Sequence, residues 1–494
     1  MGDEDWVKNV SKGMIKTMGS RNKLFLRMVF GLLLIIFTSG SFARVAWALT
    51  TEEEKKLGKR ILLEMQGKVE IVRDLTLQAF VNRVGGSLVA QVGPTPFEYK
   101  FYLINSPEPN AFAIPGGTIC LTTGLFVLAE NEHEVAGVLS HEISHVTSRH
   151  IAQMIERSKR LNLATLAAVL AGVLAGRGGK GSEAIAVTAM ATSEALALKY
   201  TREMETDADQ NSLHYLIKAG YDPNGMITFL NKIHKISMTS ADKIPTYLST
   251  HPALEDRISL LENLLQVGQK AAGPFKPIGN YKKIQANAFV EERDPNVAIT
   301  HFQSMAEADP QEFNRSYGVG LAYRKMGRLD KSVEVLQKAH SLGSKDLDIL
   351  RELGIDYFLL GKLDQAIEQL EAKSILSGAN QNNDLQRLYY LGRAYQEKGD
   401  LSHALPLFLK IQKEIPEFPD VYNNLGSVYG RMNQKGLSHF YFGKYFKWNG
   451  DLKSALLHFK TADPWLEKGS SEKEEARQEI KELTGTKQDE RIDK

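Results

Sequence analysis

The stretch Leu139-Ser140-His141-Glu142-Ile143-Ser144-His145-Val146 sets two histidines four residues apart, with a glutamate directly after the first. On a helix, residues i and i+4 lie one above the other on one face, so His141 and His145 can aim two imidazole nitrogens at one point. Such a pair suits a zinc ion. Glu142, on the neighbouring side of the same turn, is placed to take a proton from an activated water without being a ligand. The flanks supply the helix: Glu134, Val135, Val138, Leu139, Ile143 and Val146 mix apolar and polar positions at helical spacing, with no Pro or Gly between Gly137 and Gly172. A catalytic metal of this kind needs a third protein ligand and an open position for water.

The third ligand is sought among acids and histidines downstream. Arg202-Glu203-Met204-Glu205-Thr206-Asp207-Ala208-Asp209 precedes a helical run through Leu213, Leu216 and Ile217. Glu205 and Asp209 are four apart, so one face offers a carboxylate for the metal and a second, one turn on, to orient a ligand imidazole. Glu203 competes, and spacing alone leaves it open. His150 follows His141 by nine residues, one short of the metzincin spacing, and the glycine of that pattern is missing.

Around this centre the chain divides by composition. Its 494 residues suggest roughly three domains, and 43% hydrophobic with 24% charged residues is ordinary for a globular protein. The net charge is +2, but residues 1–48 hold seven Lys/Arg against three acids, and the remainder holds 54 basic against 56 acidic. No basic field remains for nucleic acid. The leader reads Lys23 to Arg27, an apolar run from Met28 to Phe37, and small residues ending Ala46-Trp47-Ala48. That is the pattern of a secretory signal peptide cleaved after Ala48, since the run is too short to span a bilayer. Cys120 is the single cysteine, so packing and metal, not an internal disulfide, must hold the fold.

Thr51 and Glu54 suggest a capping box opening a helix, and a second helix is expected over Leu77 to Val92. Phe97, Tyr99, Phe101 and Leu103 alternate with Glu98, Lys100 and Tyr102, which reads as a strand. Asn110 to Ile114 and Thr118 to Thr122, around Pro115-Gly116-Gly117, read as a hairpin whose edge can take an extended peptide. Two small-residue arms between Leu161 and Leu198 flank a glycine run and suggest a helical hairpin, with peripheral membrane association as an option.

His141 to His150, with Asn110-Ala111-Phe112-Ala113-Ile114-Pro115-Gly116-Gly117 before it and Glu205-Thr206-Asp207-Ala208-Asp209 after it, resembles the gluzincin family that includes HtpX and BepA. The likeness runs from about Thr51 to Gln266. It implies zinc held by His141, His145 and Glu205, with Glu142 as catalytic base and Asp209 outside the ligand shell. His251-Pro252 with Arg257-Ile258 is similar to a family element near the metal. Pro252 at a first helical position would make His251 an N-cap with a free side chain. From there it is expected to latch the metal, to pair with Arg257 in stabilising an oxyanion, or only to cap.

After the linker signal Ala271 to Pro277, Gly320, Gly354, Gly392 and Gly426 recur at separations of 34, 38 and 34, each with a tyrosine three residues on. That is the tetratricopeptide (TPR) period. Gly327, Gly361 and Gly399 fall at the turn inside each unit, and Ala366 and Ala404 at the tight contact. Ala298 and Phe302 extend the register back into a degenerate unit, and Gly450, Ala455, Phe459 and Ala462 extend it forward by half a unit. The expected architecture is mainly α: an α+β metalloprotease domain with a small β-sheet at 49–270, a linker at 271–280, an α-helical TPR solenoid at 281–469, and a charged tail at 470–494, loosely helical and then disordered. Exported repeats of this kind usually bind proteins. The resemblance therefore implies a periplasmic endopeptidase acting on outer-membrane proteins, its repeats docking substrates or the assembly machinery. The alternative is a TPR chaperone or scaffold with a structural or latent zinc.

Overall fold

Thr50 opens the first helix, α1 (Thr51–Gln66), in the computed structural model, which describes residues 49–66, 69–157, 200–239, 245–266, 280–308, 313–341, 346–371 and 384–492. The leader, the Leu161 to Leu198 arms and the Ala271 to Pro277 linker lie outside those residues. Thr50 Oγ1 accepts from the Glu53 amide (3.2 Å) and the Glu53 carboxylate accepts from the Thr50 amide (2.9 Å), a reciprocal capping box. The box therefore sits one residue before the expected Thr51 and Glu54. Glu54 is otherwise engaged: buried, it accepts from Arg149 Nε at 2.9 Å.

Helix α2 (Leu75–Val89) starts at the cap Asp74, and strands β1 (Lys100–Ile104), β2 (Ala111–Ile114) and β3 (Thr118–Thr122) follow. The sheet order is β1-β3-β2, with β1 parallel and β2 antiparallel to β3. The expected hairpin is thus β2-β3, and β2 forms an edge. Tyr102 shares a strand face with Glu98 and Lys100 in the alternation, yet it is only 3% exposed, because the repeats cover that side of β1 through Trp448 (ring centroids 6.5 Å apart). Then come α3 (Thr123–Leu128), α4 (Glu132–Thr147), α5 (His150–Arg157), α6 (Arg202–Ala219), α7 (Asn224–Thr239), α8 (Thr246–Thr250) and α9 (Leu254–Gln266). Gly137 lets α4 and α7 touch backbone to backbone, since a Cβ there would fall 2.8 Å from Met226 Cα.

The helix pairs α10 (Tyr281–Glu292) with α11 (Pro295–Ala308), α12 (Phe313–Lys325) with α13 (Leu329–Ser341), α14 (Leu347–Leu359) with α15 (Leu363–Leu370), α16 (Leu385–Lys398) with α17 (Leu401–Glu414), and α18 (Pro419–Arg431) with α19 (Lys435–Trp448) form the repeats. Each register glycine meets a large side chain sixteen residues on. A Cβ at Gly320, Gly354, Gly392 or Gly426 would fall 2.6 to 2.9 Å from Leu336, Leu370, Phe408 or Phe442. The turns at Gly327, Gly361 and Gly399 have positive φ, as the glycine register implies, and Asn433 takes the same conformation (φ 60) in the fourth unit. Asparagine tolerates that region, so a search for glycine passes over it.

Helix α20 (Leu452–Ala462) is followed by α21 (Ser471–Ile492), where the tail was expected to loosen. Instead Ala476 and Leu483 enter the last core cluster, and Lys473 Nζ donates to the carbonyls of Asp463 (2.7 Å) and Leu466 (2.9 Å). The charged helix closes the apolar end of the stack.

Helix α10 follows the repeat register, yet Tyr281, Ile284 and Ala288 pack into the same core as the HExxH helix α4. Tyr281 Oη donates to Phe126 O at 3.0 Å, and Gln285 Nε2 donates to Val127 O and Ala129 O. In return, Leu75 and Ala79 of α2 join the core of the later repeats. Tyr281→Ala should therefore destabilise the segment that carries the metal cluster by about 3–5 kcal/mol, as large aromatic truncations do. Denaturant melting followed through metal retention checks this, and an unchanged midpoint would remove α10 from that core.

Candidate metal centre

Three separate elements deliver the site. α4 sets His141 and His145 one turn apart, its N-terminus fixed by Asn131, which accepts from the Glu134 amide at 3.1 Å. Buried Glu134 binds Lys232 of α7 at 2.7 and 2.8 Å, locking the two helices together. α6, capped by Thr201 and ended by Gly220 at φ 84, lies against α4 and brings Glu205 and Asp209. The α8–α9 junction brings His251 and Arg257.

His141, His145, Glu205 and His251 each offer a ligand atom, all within 4.8 Å of one another, and all four residues are fully buried. Glu205 Oε1 lies 3.4 Å from His145 Nε2 and 3.1 Å from His251 Nδ1, and Glu205 Oε2 lies 3.5 Å from His141 Nε2. The two histidine Nε2 atoms are 3.0 Å apart. Among the described residues, both Glu142 oxygens, Glu205 Oε2 and His251 Nε2 have no hydrogen-bond partner. Three buried donors converging on one point beside an unpartnered carboxylate fit a cation. Glu203, the competing acid, is exposed on the far side of α6 from this cluster.

Outer partners hold both imidazoles. His141 Nδ1 meets Asp209 Oδ1 at 2.9 Å, and Asp209 accepts from Arg257 Nε (2.9 Å) and Nη2 (2.8 Å). His145 Nδ1 meets His150 Nδ1 at 2.9 Å, and His150 Nε2 lies 3.3 Å from Asp207 Oδ2. His150, whose spacing does not fit the metzincin pattern, thus contacts a ligand imidazole from outside the cluster, a role that spacing does not reveal. Arg149 adopts φ 53 between α4 and α5 and turns His150 back toward α4, a bend that no periodicity signals. Tyr200 also stacks on His145, centroids 3.7 Å apart. Asn110, part of the Asn110 to Gly117 motif, is 2% exposed beside β2, and among the described residues neither side-chain amide atom has a partner.

The expected free cap at His251 is corrected. His251 ends α8, its amide donating to Tyr247 O at 2.9 Å, and it is fully buried beneath the stacked Tyr247 ring. Pro252 does not start a helix, because Ala253 turns to φ 61 and α9 begins at Leu254. His251 Nε2 instead stands 3.4 Å from Glu142 Oε1. Arg257 faces carboxylates: besides Asp209, its Nη1 approaches Glu205 Oε2 at 2.8 Å, off the hydrogen-bond line.

Burial raises the pKa of Glu142 and, with the neighbouring His141 charge, holds that of His145 well below the usual imidazole range. Burial and Arg257 push His141 down, but bonding to Asp209 and Glu205 outweighs them and lifts it to about 9. Burial opposes ionisation of Glu205, and the Arg257 and His251 charges overcome it, keeping Glu205 well below the carboxylate range.

A buried His-His-Glu set beside an unpartnered glutamate, on a helical scaffold with a small sheet, defines a metallopeptidase-type domain. Residues 73–265 match peptidase family M48, and residues 316–342 match a tetratricopeptide repeat. The chain is 34% identical over 212 residues to the putative beta-barrel assembly-enhancing protease of Vibrio cholerae, covering 43% of this chain and 44% of that protein. It is 32% identical over 217 residues to the beta-barrel assembly-enhancing protease of Escherichia coli K12, covering 44% of each. With the mitochondrial metalloendopeptidase OMA1 of Schizosaccharomyces pombe it shares 28% identity over 190 residues, covering 38% of this chain and 53% of that one. The matches thus span about half the length of these relatives.

Proposed function

We propose that this chain is a zinc-dependent endopeptidase of the periplasm, exported by its leader, that cleaves misfolded or stalled outer-membrane proteins while its repeats dock substrate or assembly machinery. The observation that carries the reading is the buried convergence of His141, His145 and Glu205 beside the unpartnered carboxylate of Glu142. The relatives named for enhancing β-barrel assembly support the compartment and substrate class. Held by those three residues, zinc would supply Lewis acidity to a water and to the scissile carbonyl. Glu142 accepts the water's proton and returns it to the leaving amine, and its raised pKa suits both transfers. Asp209 and His150 hold the imidazoles, and Arg257 acts by positioning Asp209 and Glu205. An extended substrate adds to the edge strand β2, which packs against α4, where the Asn110 amide can meet its main chain. Purified protein should cut an unfolded β-barrel protein, lose that activity to a chelator and regain it with zinc. Cleavage that persists in the chelator would sink the metal mechanism.

One observation favours a second, latent state. His251 lies as close to the cluster as the other three donors, and a fourth protein ligand would close the position that water needs. His251→Ala should then raise cleavage several-fold at unchanged zinc content. A large loss would assign His251 to the transition state, and no change would leave it a packing role.

A further inference from the structure

A cavity of about 400 Å³ lies between the M48-like domain and the repeats, bounded by the segment beside β1 and by the α17–α18 turn with the end of α19. Its size is that of a side-chain or small-ligand pocket. Tyr102, Phe418 and Trp448 give it aromatic walls, and Glu70, Glu291 and Glu417 line it with carboxylates. The lining base is Arg73, whose guanidinium is committed to Asp420 (2.9 Å) and Asn449 (2.6 Å). Lys100 reaches Glu417 at 3.3 Å, and Lys325 Nζ donates to the carbonyls of Val290, Glu291 and Arg293, so part of the negative charge is answered from outside. Glu70 is exposed to solvent, while at Glu291 burial and then the Glu70 charge raise the pKa against the pull of Lys325.

A second observation points to a guest. The Tyr102 hydroxyl is buried and has no hydrogen-bond partner among the described residues, an arrangement that costs free energy unless something else satisfies it. Main-chain partners are also at hand. Val72 N donates to Leu103 O and Asn105 N to Glu70 O, so the intervening Ile71, which lines the cavity, turns its own N–H and C=O away from β1.

We propose that this interdomain cavity binds the basic side chain, lysine or arginine, of an extended segment of a partner protein. The cation lies against the Trp448 face, the carboxylates answer its charge, and the Tyr102 oxygen accepts an N–H. Ile71 engages the guest's backbone. The cavity adjoins β1, at the opposite edge of the sheet from β2, so occupancy is compatible with a substrate strand at the catalytic edge.

The test is fluorescence anisotropy of the full chain with a labelled pentapeptide bearing a central arginine between alanines, beside versions bearing norleucine or glutamate. Mass spectrometry confirms that the peptides stay intact. Binding is read without reference to cleavage, so failure of the peptidase reading would leave this test standing. The arginine peptide is expected to bind about tenfold more tightly than the norleucine one, a gain within reach of a cation on an aromatic face and carboxylates. A double Glu291→Gln, Glu417→Gln variant with unchanged Tm should erase that preference. Tyr102→Phe, which removes only the hydroxyl, should weaken the arginine peptide several-fold. Equal affinity for the three peptides, no binding of the arginine peptide, or a preference that survives the double variant would overturn the proposal.

Discussion

Glu142→Gln should leave the chain folded and loaded with metal while lowering peptide cleavage by about 10²- to 10⁴-fold, the usual contribution of a positioned acid–base group. Glu142 belongs to no ligand pair: it is fully buried, and among the described residues neither of its oxygens has a hydrogen-bond partner. His251 Nε2 lies 3.4 Å from its Oε1. The amide keeps the shape and removes the proton acceptor. Zinc content measured by atomic emission, beside cleavage of an unfolded protein such as casein, separates the two effects. Cleavage near the wild-type rate would mean that another group carries the proton. The same variant, able to bind substrates but not to cut them, is the means of identifying physiological substrates.

The second large effect concerns the third ligand. Glu205→Gln should weaken zinc binding by more than about 100-fold, beyond the 10- to 100-fold typical of losing an outer partner. Two histidines and a neutral amide then remain against the buried charge of Arg257, which the Glu205 carboxylate now faces at 2.8 Å. Asp209→Asn, which loosens His141 Nδ1 and the Arg257 ion pair without removing a ligand, should fall in the smaller range. Glu203→Gln, on an exposed residue of the same helix, should change nothing. Competition against a chromophoric chelator ranks all three. Unchanged affinity in Glu205→Gln would return the ligand assignment to the rest of the acid cluster.

What could be read from the sequence was local. The HExxH pair follows from helical period alone, because residues four apart share a face whatever surrounds them. The repeat units follow from glycines that must sit against a bulky residue sixteen positions later on the adjoining helix, so close packing writes a period into the chain. The choice of Glu205 over Glu203 needed a family likeness, and burial supplies its physical basis, since opposite exposures on one helix are set by what packs against it.

Only the tertiary structure decided the rest, because those features depend on segments far apart in sequence. His251 looked like a free helix cap from its neighbour Pro252, yet it is buried against donors that lie 46 to 110 positions earlier in the chain. His150 meets His145 only because Arg149 reverses the backbone between two helices, a bend that its residue type does not announce. Tyr102 shares a strand face with Glu98 and Lys100 in the alternation and is covered by a repeat helix more than three hundred residues later. Helix α10 carries the register of one domain and packs in the core of the other, since periodicity records which face of a helix is apolar and leaves open which partner will bury it.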